Sequence, residues 1–128
     1  MAILRIERKA NDLPVMKFAS DNPVRNDLVF AIGNPHGQIN SVGIGNVLGY
    51  SKVNLSKPVA SSNVKYDVIN HDAYMLSGNS GMLVNLAYEV VGINSWGGTT
   101  DTYENHIGLA SPVLKIKEFI SQNERYLR

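Results

Sequence analysis

The chain has 128 residues, of which 44% are hydrophobic and 18% charged, and its formal net charge is +1 at pH 7. This length suits one globular domain, and the scattered basic residues give no electrostatic footprint for nucleic acid. The sequence contains no cysteine, which excludes disulfides and thiol catalysis, and no apolar run in it is long enough to span a membrane.

Short apolar segments alternate with clusters of Gly, Pro, Asn and Asp along most of the chain. This pattern is typical of an all-β fold of short strands. It predicts eight strands, at residues 3–8, 13–18, 28–32, 41–50, 64–70, 81–85, 89–94 and 106–110. The turn sequence RKAND joins the first two as a hairpin, and a connector with Pro23 follows them.

Only the C-terminal part of the chain has a helical pattern. Ser111 is a favourable N-cap, and Pro112 suits the first helical position, where a missing N–H has no consequence. The apolar residues that follow fall on one helical face: Val113, Ile116, Phe119 and Ile120. We therefore predict a terminal amphipathic helix that docks on the β body.

The stretch GNSG, residues 78–81, contains a serine between two turn-forming residues and is followed by a hydrophobic run. Its glycines allow backbone conformations that are closed to other residues. The N–H groups of Gly78 and Ser80 could then hold an oxyanion beside the Ser80 hydroxyl, and each such donor contributes about 3–4 kcal/mol in known enzymes. Four residues of this kind also suit an ordinary turn, so the nucleophile hypothesis depends on the surrounding sequence.

Six segments support that hypothesis, because they occur in the order found in one known family. They are NDLPVMKF, LVFAIGNPHG, SVGIGNVLGY, INHDAYMLSGNSGMLVN, YEVVGINSWGG and HIGLASPVLKIKEFI. Together they resemble the trypsin-like serine peptidases, in particular the bacterial HtrA-type branch and the staphylococcal glutamyl-endopeptidase and exfoliative-toxin branches. The resemblance extends over almost the whole chain.

The resemblance implies an all-β fold, the six-stranded antiparallel barrel that forms the second half of a trypsin-like protease. Residues 28–128 would form this barrel with its C-terminal helix. Residues 1–20 would be the last hairpin of a missing first barrel, and residues 21–27 the connector between the two. The chain is therefore expected to be a fragment of a catalytic domain.

The resemblance also implies a role for each residue of the site. Ser80 would attack the scissile carbonyl, and Asp12 would orient the histidine of the triad. The oxyanion hole would be formed by Gly78 and Ser80, with Asn79 between them. The residues implied to contact the substrate are Tyr74 and Ser77 before the nucleophile, Ser95, Trp96 and Gly97 on a strand edge that pairs with the peptide, and Gly108 and Ala110 on the opposite wall. Ser95 would also lie close to Asp12.

The histidine of the triad is missing from this pattern. In the family it comes before the aspartate, and no histidine precedes Asp12 here. We interpret His36, His71 and His106 as surface or hydrogen-bonded structural residues, in preference to a metal site of His71, Asp72 and His106. The sequence thus predicts the nucleophile-bearing half of a serine endopeptidase that forms an acyl-enzyme, inactive or very slow as this chain alone, with no metal and no cofactor.

Two departures from the family bear on specificity. Asn94 occupies the position where glutamyl endopeptidases carry a substrate-binding histidine, and Tyr74 gives the pocket no acidic floor. We therefore expect a small or medium apolar residue before the cut. The alternative is a non-catalytic protease-like domain for peptide binding or assembly, a pseudoprotease, although the retained Ser80 and Asp12 favour the enzyme.

The expected partners follow from the same reading. The substrate would be a peptide or protein, with no nucleic acid and no membrane span. Loss of the first barrel would expose an apolar face and unpaired strand edges, and such surfaces recruit other chains. We therefore predict a homodimer or higher oligomer. The family further suggests export or secretion from a bacterium.

Overall fold

The structure is a computed structural model that describes residues 1–8, 12–34, 41–53, 64–73, 81–98 and 107–127, with the side chains of 96–98 left out. Six strands close into one barrel. They are β1 (Leu28–Gly33), β2 (Ser41–Ser51), β3 (Val68–His71), β4 (Met82–Val84), β5 (Val90–Gly98) and β6 (Ile107–Pro112). Their order around the barrel is β1-β2-β3-β6-β5-β4, every neighbouring pair is antiparallel, and β4 pairs with β1 to close the ring. The predicted six-stranded antiparallel barrel is confirmed.

The interior of the barrel is filled by the side chains that alternate inward along the strands. This core contains mostly small and β-branched residues, which suit a narrow closed sheet. Its buried members are Ala19, Val29, Ala31, Val47, Ile69, Ala73, Leu83, Val91, Ala110 and Val113. Full burial of a Val, Leu or Ile side chain contributes about 1.5–3 kcal/mol, so this cluster stabilises the barrel strongly.

The predicted C-terminal helix is present as α1 (Val113–Gln122), followed by a 3₁₀ turn at Glu124–Tyr126. Its apolar side covers a second cluster on the outer face of the barrel, where buried Ile116 lies with Val84 and Val90. No helix in the described ranges is long and apolar enough to cross a membrane.

The predicted start of this helix is wrong by one position. Ser111 belongs to β6, where it is buried and its hydroxyl lies 2.8 Å from the Tyr66 hydroxyl. Pro112 is extended and serves as the N-cap without a side-chain bond. The β5–β6 ladder continues to Pro112, so sheet pairing prevails over capping. The cap comes instead from the connector, because Asn22 Oδ1 accepts the Leu114 N–H at 3.0 Å.

The two strands predicted at 3–8 and 13–18 are not formed. In the described residues before β1, the strand pairing consists of one isolated parallel bridge between Phe18 and Val90. A two-stranded hairpin without a neighbouring sheet is only marginally stable, which explains why the apolar alternation does not produce strands here.

The N-terminal residues instead lie against the outer cluster and α1. Together they line an open apolar groove of about 440 Å³. Its lining residues are Met1, Ala2, Ile3, Leu4, Met16, Phe18, Met82, Val90, Ile93, Ile116, Phe119, Ile120 and Leu127. Of residues 1–8 only Ile3 is partly buried, so this segment borders the groove without filling it.

Candidate active site

The residue that follows Ser80 is held tightly against the end of β1. A Cβ atom added to Gly81 would lie 2.1 Å from the carbonyl oxygen of Ile32, so a larger residue would have to displace backbone. The Gly81 carbonyl also accepts the backbone N–H of Asn94 at 2.9 Å. Since β4 begins at the next residue, the backbone that follows Ser80 is fixed by β1 on one side and β5 on the other.

Residues 74–80 form what we call the Ser80 segment. The two residues before it, Asp72 and Ala73, are held against β2. The Asp72 carboxylate accepts the Asn46 N–H at 2.7 Å, and the Asp72 N–H donates to the Asn46 carbonyl at 3.2 Å. Ala73 is buried in the core, and a Cβ atom on Gly45 would lie only 2.2 Å from its nitrogen. Both flanks of the Ser80 segment are therefore anchored in the barrel wall.

The central predicted residues lie in that segment and outside the described residues. They are Tyr74, Ser77, Gly78, Asn79 and Ser80. The nucleophile and the two oxyanion donors thus stay predictions, supported by the anchoring of the residues on either side.

A buried polar pair lies between the two flanks. His71 ends β3, Asn94 lies in β5, and His71 Nε2 donates to Asn94 Oδ1 at 2.8 Å. Burial lowers the pKa of His71 below its ordinary value of 6.5, while the bond to Asn94 and the charge of Asp72 act in the opposite direction. His71 is therefore a neutral hydrogen-bonded residue of the interior, in line with its structural interpretation. His36 and His106 lie outside the described residues.

The role of Asn94 in this pair does not follow from the residues quoted for the family resemblance. One available signal was the period of two along β3, which places His71 on the same face as Ile69 and so inside the barrel. A buried histidine requires a hydrogen-bonding partner from a neighbouring element. The pattern could thus have predicted that a polar residue faces His71, although not which one.

The predicted substrate-binding strand is β5, which in the described residues has an unpaired edge after Ile93. Asn94 pairs with Ala110 and Trp96 pairs with Leu109, so Ser95 is the extra residue of a β-bulge and is exposed. Bulges are frequent beside active sites, where they redirect a strand. The described ladder between β4 and β5 ends at Ile93, so among the described residues the part of β5 after the bulge pairs on one side only.

The structure brings together two of the residues predicted to form the walls of the substrate pocket, Gly97 and Gly108, whereas Ala110 lies in the core. Gly97 on β5 pairs directly with Gly108 on β6, so no side chain fills the space at this position. Gly108 also pairs with His71 on its other side. Ala110 is fully buried in the barrel core, packed with Ile69 and Val91.

Asp12, the predicted acid of the triad, is exposed and lies in the N-terminal segment. Its two carboxylate oxygens accept bonds from Arg8, from Nε at 2.7 Å and from Nη2 at 2.9 Å. This ion pair lowers the pKa of Asp12 below its ordinary value. Among the described residues its hydrogen-bonding partner is Arg8 rather than Ser95.

Comparison with known proteins identifies the class to which this barrel belongs. Residues 1–93 match the family of the trypsin-like peptidase domain, which includes the anchored flanks, Asp12 and the Ser80 segment. The chain therefore belongs to the trypsin-like peptidases. It is 37% identical over 119 residues to the probable serine protease do-like of Buchnera aphidicola, and 35% identical over 130 residues to the periplasmic serine endoprotease DegP of Salmonella typhimurium.

The solved structures agree with these relatives. The HtrA-type protease AlgW with a decapeptide superimposes with a TM-score of 0.73 and 28% identity, covering 93% of this chain and 36% of that one. The two curated relatives match over 90% and 98% of this chain. The chain spans only 23% and 26% of their respective lengths.

Proposed function

We propose that this chain is the nucleophile-bearing half of a serine endopeptidase, which cleaves peptide bonds through an acyl-enzyme on Ser80. The observation that supports this most is the position of Gly81, the residue after Ser80. It is held between the Ile32 carbonyl and the Asn94 N–H, within a sequence that matches the trypsin-like peptidase family. A fixed backbone at this point is what a preorganised oxyanion site needs.

In the proposed reaction, the Ser80 hydroxyl attacks the scissile carbonyl and loses its proton to a histidine. The N–H groups of Gly78 and Ser80 stabilise the oxyanion, and Asp12 holds the histidine in the correct tautomer. The open edge of β5 after the bulge would pair with the extended substrate, with Ser95, Trp96 and Gly97 on one side of the pocket and Gly108 on the other.

The general base would come from outside this chain. His71 is fully buried inside the barrel and bonded to Asn94, which makes it unsuited to take a proton from a substrate-facing serine. Asp12 is paired with Arg8, as expected of a carboxylate without its histidine partner. We therefore propose that the chain alone is inactive or very slow, since removal of one triad member lowers the rate by orders of magnitude.

The N-terminal segment supports an association of several chains. Leu4, Ile6 and Val15 are 88%, 71% and 83% exposed, which is unusual for three apolar side chains of one segment. In a whole two-barrel protease this segment would belong to the first barrel and pack against the other strands of that barrel. We propose that it pairs with another copy of the chain when those strands are absent. Export from a bacterium is proposed from the relative DegP, which is named as periplasmic.

Proteolysis of a labelled unfolded protein tests the proposed function. The comparison needs the present chain, the chain extended by any residues that its gene encodes before Met1 (the extended protein), and the Ser80→Ala variant of each. We expect rapid hydrolysis by the extended protein, a rate lower by orders of magnitude for the present chain, and no hydrolysis by the variants. An extended protein that has a histidine before Asp12 and is no faster than its Ser80→Ala variant would indicate a peptide-binding pseudoprotease instead.

A further inference from the structure

His71 and Asn94 meet across a strand that separates them. Around the barrel β6 lies between β3 and β5, with His71 opposite Gly108 and Asn94 opposite Ala110. Residues 108 and 110 are two apart on one strand, so they and their partners share one face of the sheet. That face is the barrel interior, because Ala110 belongs to the core. The small residues of β6 leave room for the imidazole and the amide to meet above them.

Asn94 links this bond to the residue after Ser80. Its side-chain Oδ1 accepts from His71 at 2.8 Å, and its backbone N–H donates to the Gly81 carbonyl at 2.9 Å. One residue of β5 therefore binds both the strand that precedes the Ser80 segment and the residue that follows it. A shift of Asn94 would move the Gly81 carbonyl and so change the position of Gly81, the residue to which Ser80 is joined.

Burial of these two polar side chains inside the barrel lowers its stability. His71 is 0% and Asn94 1% exposed, and His71 Nδ1 and Asn94 Nδ2 have no hydrogen-bonding partner among the described residues. Two apolar residues of similar shape would give a more stable fold, because buried polar atoms without a partner are destabilising. A hydrogen bond is directional, whereas apolar packing is not. The bond from His71 therefore fixes the position of Asn94 more closely than apolar contacts would.

We propose that His71 and Asn94 are a positioning pair, which sets the place of Gly81 and thereby the backbone geometry at the nucleophile. The inference rests on the proposed role of Ser80. His71 acts through Asn94 and makes no contact with the substrate. It works as the neutral Nε2–H tautomer, since Asn94 Oδ1 only accepts. The charged group that faces it in the described structure is Asp72, the residue next to it in the chain.

Three variants of the present chain separate positioning from simple stability. His71→Leu removes the donor with little change in size, whereas His71→Gln retains an N–H that can reach Asn94. Val68→Ala is the matched control, because Val68 is equally buried on β3 but packs in a different cluster with Ile107 and Leu109. The first readout is amide hydrogen exchange of Asn94, compared with the amides of β1 and β2.

We expect His71→Leu to lower the protection of the Asn94 amide by about tenfold or more beyond its effect on β1 and β2. His71→Gln should retain this protection, and Val68→Ala should lower protection evenly. If His71→Leu affects Asn94 no more than Val68→Ala does, or if His71→Gln fails to restore it, the proposal is overturned. Should His71→Leu not fold, the ¹⁵N shifts of the unmodified His71 decide, because an Nδ1–H tautomer is incompatible with the bond to Asn94.

A second readout connects the pair to catalysis. In the extended protein, His71→Leu should lower kcat by about tenfold or more with little change in KM, and His71→Gln should restore kcat. An unchanged kcat in His71→Leu would overturn the role in positioning. If the extended protein itself shows no reaction at Ser80, the proposed function fails, and hydrogen exchange still decides whether His71 positions Gly81.

Discussion

The imidazole of His71 and the side-chain amide of Asn94 are joined inside the barrel, by a 2.8 Å bond that passes over the small residues of β6. Asn94 in turn holds the carbonyl of Gly81 through its backbone N–H. The bond thus connects β3 and β5, which are not neighbours in the sheet, at the point where the predicted nucleophile joins the barrel.

The first prediction concerns the dependence of stability on pH. Burial lowers the pKa of His71 below 6.5, so the folded chain stays neutral at this residue while the unfolded chain takes up a proton. Stability is then complete above about pH 6.5 and declines as the pH falls from there through the lower native pKa. Urea unfolding of the wild type and His71→Gln between about pH 5 and about pH 8 measures this, and their difference should decrease with falling pH. A difference that does not vary with pH would contradict it.

The second prediction concerns Gly81. In Gly81→Ala the new Cβ atom would meet the Ile32 carbonyl oxygen at 2.1 Å, and neither backbone moves easily. We expect a loss of about 2–3 kcal/mol in the free energy of unfolding. Gly49→Ala is the comparison, because nothing lies within 4 Å of its Cβ position although its φ is +153°. That variant should lose about 1 kcal/mol. Equal losses in the two variants would argue against close packing at Gly81.

The third prediction concerns the start of α1. Asn22 Oδ1 accepts the Leu114 N–H at 3.0 Å, which ties the connector to the helix. Asn22→Ala should lower the free energy of unfolding by about 1 kcal/mol, whereas Asn22→Asp retains an acceptor and should change it by only a few tenths. Denaturant unfolding of both variants measures the effect. If Asn22→Asp is as unstable as Asn22→Ala, the acceptor is not what matters.

The fourth prediction concerns Asp12. Its pKa is lowered mainly by the hydrogen bonds from Arg8. In Arg8→Ala the pKa of Asp12 should rise towards its ordinary value of 3.8, as followed by carboxyl ¹³C shifts in an NMR titration. The unfolding midpoint should not change measurably, because both side chains are about half exposed and such pairs add little stability. An unchanged pKa would mean that Arg8 and Asp12 are not paired in solution.

Much of the barrel could be predicted from the sequence because its strands follow the period of two. β1 and β2 were each predicted to within one residue of their observed ends. β3 is shorter than predicted and begins at Val68. Val64 and Tyr66 do not pair with a neighbouring strand and instead pack against the cluster of Val68, Ile107 and Leu109. The local sequence pattern does not show whether these residues pair as a strand, because pairing depends on which strands lie beside them in the closed sheet.

The remaining differences have the same origin in tertiary structure. Ser111 is a good N-cap by its type, but the β5–β6 ladder extends over it. The bond between His71 and Asn94 depends on the register of β3 and β5 on β6 and on the small size of Ala110. The sequence around His71 or Asn94 gives neither. The roles of Ser80 and Asp12 were inferred by resemblance, and the match over residues 1–93 supports the family rather than each role.

Ser80 is tested as the nucleophile most directly by mapping the adduct of a fluorophosphonate probe by mass spectrometry, in the present chain and in the extended protein. We expect an adduct confined to Ser80, formed rapidly in the extended protein, slower by orders of magnitude in the present chain and absent from Ser80→Ala. Labelling of other serines at the same rate, or no adduct in an extended protein that carries a histidine before Asp12, would contradict the assignment of Ser80 as the nucleophile.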